Sequence, residues 1–91
     1  MEYKIKLSEF FDSDKLQVIH CNTRMEANEL LKAFSNIGKN WASGRSYLEE
    51  DKWEIYGNNT CYSNKGRYSE IEYYREMGTT IYEFEEVDLE K

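Results

Sequence analysis

The stretch "TRMEANELLKAFSNIG", residues 23–38, constrains the fold of this chain more than any other. Thr23 followed by Glu26 has the form of a capping box, in which each side chain satisfies a backbone N–H left free at a helix start. Ala27, Leu30, Leu31, Phe34 and Ile37 recur at helical spacing and make one apolar stripe. Gly38 follows as the stop, because without a Cβ it takes a left-handed conformation at little cost. The spacing predicts a helix over 24–37. Its apolar face must be covered by whatever the rest of the chain builds.

The flanking segments read mostly as strands. "YKIKL" alternates Tyr3, Ile5 and Leu7 against Lys4, Lys6 and Ser8, the pattern of a half-buried strand. "FFDSDK" carries turn-forming Asp and Ser and leads into "LQVIHC", a second strand, so a hairpin is expected between the two. Beyond Gly38, residues 41–48 can run extended, with Gly44 as a bulge or turn. "KWEIYG" alternates Trp53 and Ile55 against Glu54 and Tyr56, "NTCYS" has the length of a short strand, and "NKG" follows as a turn. Ser69 and Glu72 form a second capping-box pattern, opening a short helix through Ile71, Tyr74 and Met77 that ends at Gly78. "TTIYEFEEV" closes the chain as a strand with Tyr82 and Phe84 on one face. The expected architecture is a single α+β domain over residues 1–91: one small, mainly antiparallel sheet, one long helix packed across it, and a second short helix.

Ninety-one residues bury only a modest core, and oligomerisation is a natural way to enlarge it. An apolar content of 40% with 15% aromatic residues is enough to fold. No apolar run approaches the roughly 18 residues of a membrane span, and the amino terminus has no signal-peptide core. Cytoplasmic location is the expectation, and with it free thiols at Cys21 and Cys61.

Motifs for chemistry are thin. His20 and Cys21 are neighbours, but adjacent strand side chains point to opposite faces and cannot pair. Cys61 has freedom to approach either. Two cysteines forty residues apart, without a Cys-x-x-Cys, do not make a zinc site. "GKN" lacks the glycine spacing and the following Ser or Thr of a phosphate loop. Carboxylate pairs are too abundant in an acidic chain to mark hydrolysis. The expectation is a non-enzyme with no catalytic residue, cofactor or metal.

Charge is unevenly spread. Residues 1–40 are neutral overall, and residues 41–91 carry the whole net charge of −6. Such a field repels phosphate backbones, so direct nucleic-acid binding is disfavoured, while a basic protein surface is attracted. Eight tyrosines and two tryptophans add large rigid contact area with polar tips. Tyr73 and Tyr74 cannot both face the core of one short helix, so one of them is exposed. Trp41 has two readings. Following Gly38, it is the first large apolar residue able to fold back as an anchor between helix and sheet. Alternatively it is a ligand shelf beside Ser43 and Gly44, with Arg45 reaching an anion and Tyr47 nearby.

The run "VIHCNTRMEANELLKAFSNIGKNWASG", Trp53-x-x-Tyr56, "TCY" at 60–62 and "EYYREMGTTIYEF" resemble a class of small phage and prophage proteins of low-GC Gram-positive bacteria. The resemblance covers residues 16–87. It implies a protein that acts by stoichiometric binding to a host component, as anti-CRISPR proteins do with acidic surfaces. On that expectation the target is a host defence protein, a CRISPR effector complex foremost, met through Glu49, Glu50, Asp51, Glu54, Glu83, Glu85 and Glu86, with Tyr73 as an anchor. Two further readings stay open. One is a sponge for a nucleotide immune signal, using Trp41, Ser43, Arg45 and Tyr47. The other is a phage accessory or regulatory protein without an immune role.

Overall fold

The computed structural model describes residues 4–89. The long helix, α2, spans Arg24–Asn36. The Thr23 side chain accepts from the Glu26 N–H at 3.1 Å, and Glu26 Oε1 accepts from the Asn22 N–H at 2.8 Å, one residue earlier than in the usual box. At the other end Gly38, at φ +83°, donates to Ser35, and Lys39 donates to Phe34, so two terminal carbonyls are satisfied. Ala27, Leu30, Leu31, Ala33 and Phe34 are buried. Ile37 is not: it caps the helix and leaves the stripe, 43% exposed.

The amino-terminal segment departs from the expected strand. β1 covers only Ile5–Lys6, and Leu7–Asp12 forms a helix, α1. Leu7 and Phe10, three residues apart, are both fully buried. That burial is helical in spacing and overrides the two-residue alternation of "YKIKL". Tyr3 lies outside the described residues. No hairpin joins the first two strands, because β1 pairs in parallel with β6 (Val87–Asp88), while β2 (Gln17–His20) belongs to another sheet.

That second sheet has the order β4-β3-β2-β5, with β3 at Thr60–Ser63, β4 at Tyr68–Glu70 and β5 at Thr80–Glu83. β3 runs antiparallel to both its neighbours, and β5 runs parallel to β2. Among the described residues the fold is therefore α+β with a two-stranded parallel sheet, a four-stranded mixed sheet and four α-helices, rather than one sheet and two helices. α3 is Trp53–Tyr56, where an alternating pattern suggested extended chain, and α4 is Ile71–Glu76. Ser69 does not cap α4, since it lies within β4, and Glu70 holds the N-cap position. The final segment is not one strand. After β5, residues 84–86 make a single 3-10 turn, fixed by Glu86 Oε1 accepting from the Glu83 N–H at 2.8 Å.

The buried residues of the four-stranded sheet divide between two apolar clusters. Ile19 and Tyr62 join the buried face of α2, with Phe10, Cys21, Trp41 and Tyr47. Val18 and Cys61 face the other way and meet Ile71 and Tyr74 of α4. This is why all four residues of β3 are buried. Asn64, just beyond β3, ties the layers together: its Nδ2 donates to the carbonyls of Phe10 and Lys15 at 3.0 and 2.9 Å. Its Oδ1 accepts from the Gln17 N–H at 3.2 Å. Among the described residues no helix is long and apolar enough to cross a membrane.

Phe34 sits where three rings converge, 4.8 Å from Phe11, 5.2 Å from Tyr47 and 6.0 Å from Phe10. Phe34→Ala is expected to cost about 3–5 kcal/mol in urea unfolding. Met25→Ala, on the exposed side of the same helix, should stay within about 0.5 kcal/mol. Equal losses at the two positions would contradict this packing.

Candidate functional site

The segment between α2 and α3 is held by its aromatic side chains. Trp41 is only 5% exposed and packs against Tyr47, Tyr68 and Tyr62, with ring centroids 4.6, 5.7 and 6.0 Å away. Its indole N–H donates to the Glu50 carbonyl at 3.0 Å. The Tyr62 hydroxyl donates to the next carbonyl, that of Asp51. Trp41 is thus the anchor, with its polar edge already used inside the molecule. The chain from Trp41 to Arg45 turns on itself through Gly44, at φ +92°, with Trp41 N–H donating to Arg45 at 2.9 Å.

This segment meets the β3–β4 turn along one close line. The Ala42 N–H donates to the Gly66 carbonyl at 2.9 Å. Gly66 adopts φ +75°, and a Cβ there would sit 2.6 Å from the Ala42 nitrogen. Only glycine closes this junction.

Above the junction opens a cleft of about 500 Å³. Trp41 and Ser43 border one side, Arg67, Tyr68 and Ser69 of the β4 region another, and Tyr73 and Met77 at α4 a third. Its size lies within the range of small-molecule sites. Two cations, Lys52 and Arg67, line it against one carboxylate, Glu50. Lys52 Nζ lies 2.7 Å from Glu50 Oε2 and 5.8 Å from the centre of the Tyr68 ring. Arg45 Nη1 approaches the other Glu50 oxygen at 3.6 Å. The hydrogen bond from Lys52 holds the Glu50 carboxyl below its ordinary pKa, and the same bond raises that of Lys52. Among the described residues no carboxylate pairs with the Arg67 guanidinium.

The expected ligand residues are divided by the fold. Trp41 and Ser43 reach the cleft, Arg45 stands outside it on Glu50, and Tyr47 is buried facing a smaller hollow beside Asn28 and Leu48. Lys52, Arg67, Tyr68, Ser69 and Met77 escaped the sequence reading. For Arg67, Tyr68 and Ser69 the signal was "KGRYS", a cation, an aromatic ring and a hydroxyl directly after a turn; Lys52 and Met77 had none.

Among the described residues, four of the seven expected acidic contacts have a partner within the chain. Arg24 binds Asp51 Oδ2 at 3.1 Å and Glu54 Oε1 at 3.4 Å, Lys52 and Arg45 take Glu50, and Glu83 meets His20. Burial pushes the Asp51 carboxyl up, but the Arg24 and Trp53 hydrogen bonds outweigh it and hold the pKa below its usual value. Glu49, Glu85 and Glu86 are exposed, and no cation pairs with them among the described residues. Tyr73 is 50% exposed and Tyr74 is buried, the division their adjacency implied.

His20 and Cys61 are cross-strand partners, whereas Cys21 lies on the opposite face with the α2 cluster. The pair carries no nucleophile of ordinary reactivity. Burial pushes the Cys61 thiol up to about 12 and Cys21 higher still. Both nitrogens of His20 are engaged, Nδ1 with Glu83 Oε1 and Nε2 with the Asn58 carbonyl, each at 2.7 Å. Among the described residues no group of three or more His, Cys, Asp or Glu side chains is placed to hold a metal. The chain matches no protein-family model, no curated protein and no solved structure.

Burial of both thiols predicts that the native protein leaves them unmodified by Ellman's reagent at pH 8, while denaturant releases two equivalents. Rapid labelling of the folded protein would mean that either cysteine is more accessible and more acidic than its surroundings allow.

Proposed function

We propose that this protein is a stoichiometric binding protein whose cleft captures a small, planar, negatively charged molecule of the nucleotide class. The observation that carries the reading is the sign of the cleft. In a chain of net charge −6, an aromatic-walled opening is lined by two cations and one carboxylate, the carboxylate paired with one of those cations. Rings at Tyr68 and Tyr73 offer stacking faces, and the Ser43 and Ser69 hydroxyls offer donors and acceptors for a sugar or base edge. Together with the likeness to small phage proteins, this favours capture of a nucleotide signal used in host defence.

A second reading rests on a different surface. Leu48 and Ile55 are 67% and 56% exposed and flank the acidic run 49–54. Exposed apolar residues beside carboxylates suit docking to a basic protein surface, such as a CRISPR effector. Internal pairing of Glu50, Asp51 and Glu54 weakens that field, so the cleft is preferred.

A thermal-shift panel of nucleoside monophosphates and cyclic nucleotides separates the two. A ligand at a hundredfold excess over its Kd stabilises the fold by about 2.7 kcal/mol, several degrees in Tm for a domain of this size. A flat response to every nucleotide, with capture of a host protein that is lost on charge reversal at Glu49 and Glu54, would replace the cleft reading with the surface one.

A further inference from the structure

Among the described residues, Lys52 is the one non-glycine residue held at positive φ, at +58°. The left-handed region is unfavourable for a long side chain, and residues kept there gather at binding and catalytic sites. Hydrogen bonds fix the residues on either side of it. Trp41 and Tyr62 clamp the carbonyls of Glu50 and Asp51, and Asp51 Oδ1 accepts from the Trp53 N–H at 3.1 Å. Between these fixed points the chain turns at Lys52, whose ammonium lines the cleft over the Tyr68 ring.

Resting on the cleft reading above, we infer that Lys52 is the phosphate-binding residue, acting with Arg67, and that Glu50 is a counterion which the ligand's phosphate displaces. The exchange leaves no charge stranded. Glu50 already has a second cation, Arg45 at 3.6 Å on its other oxygen, and it retains that partner when Lys52 turns to the ligand. Arg67, with no carboxylate on it among the described residues, supplies the second positive charge, and its planar fork suits phosphate oxygens. A base set against Tyr68 and the half-exposed Tyr73 completes the ligand, so the class is a nucleotide with a free or cyclic phosphate. Without Glu50, Lys52 and Arg45 would repel each other, which explains a carboxylate beside an anion site.

Backbone and side chain at position 52 make opposite predictions, and that opposition forms the test. Binding is measured by calorimetry for AMP, GMP, CMP, UMP and the cyclic dinucleotide c-di-AMP, with the four nucleosides as controls. Thermal unfolding of each variant reports the fold. Lys52→Gly removes the strain and the charge together, so its Tm should equal or exceed that of the parent while nucleotide affinity falls about tenfold or more. Nucleoside affinity should stay put. Lys52→Asn, which tolerates the same backbone, should weaken nucleotides alike, Arg67→Gln should do so too, and Glu50→Gln should tighten them. If the parent binds a nucleotide and Lys52→Gly binds it equally well, Lys52 is only a turn residue and the inference fails while the cleft reading stands. If the parent binds none of these nucleotides, both are overturned.

Discussion

The Trp41 side chain is the contact on which the accessible part of the molecule depends. It closes the core between α2 and the sheet, and its one polar atom holds the Glu50 carbonyl from within. A buried indole N–H without a partner is costly, so the bond draws the passing chain inward. Tyr62, fully buried in the middle of the sheet, repeats the device one residue later at Asp51. Two hydroxyl or indole donors rooted in the core thus fix a segment with little regular structure of its own. The cleft, the strained turn at Lys52 and the position of Glu50 all follow from that fixing.

Electrostatics reinforces the arrangement without adding much stability. The ion pairs of Arg24 with Asp51 and Glu54 are exposed on at least one side, and such pairs contribute at most modestly. Their effect is on the outer field. Carboxylates that would have made the 49–54 run a dense negative patch are shared with Arg24, Arg45 and Lys52, and the remaining surface is milder than composition implies. The His20 ring contacts Glu83 Oε1 and the Asn58 carbonyl, and so joins β2 to β5 and to the turn before β3. Among the described residues the groups left without an ion-pair partner include the Arg67 guanidinium at the cleft as well as the exposed carboxylates of Glu49, Glu85 and Glu86.

Burial accounts for the silence of the reactive residue types. Cys21 and Cys61 lie on opposite faces of the sheet, in separate apolar clusters, where a thiolate would be poorly solvated. The adjacency of His20 and Cys21 in sequence carried no pairing, and the residue across the strand from His20 is Cys61 instead. Strand geometry foretold the first fact, and only the register between β2 and β3 could supply the second.

The sequence by itself determined the elements whose signals are local. The cap at Thr23, the stripe along α2, the stops at Gly38 and Gly78, the strand at "TCYS" and the division of Tyr73 from Tyr74 depend on residues within a few positions of one another. Tertiary structure decided the rest because the competing signals were short. "YKIKL" and "KWEIY" alternate over too few residues to outweigh burial, and Leu7 and Phe10 became helical once a core existed to receive them. Likewise, pairing of β5 with β2 and of β1 with β6 joins segments more than sixty residues apart, beyond any local pattern. The candidate site is of this second kind. Lys52, Arg67 and Tyr73 come from three separate segments, and a cleft between segments has no signature in any one of them.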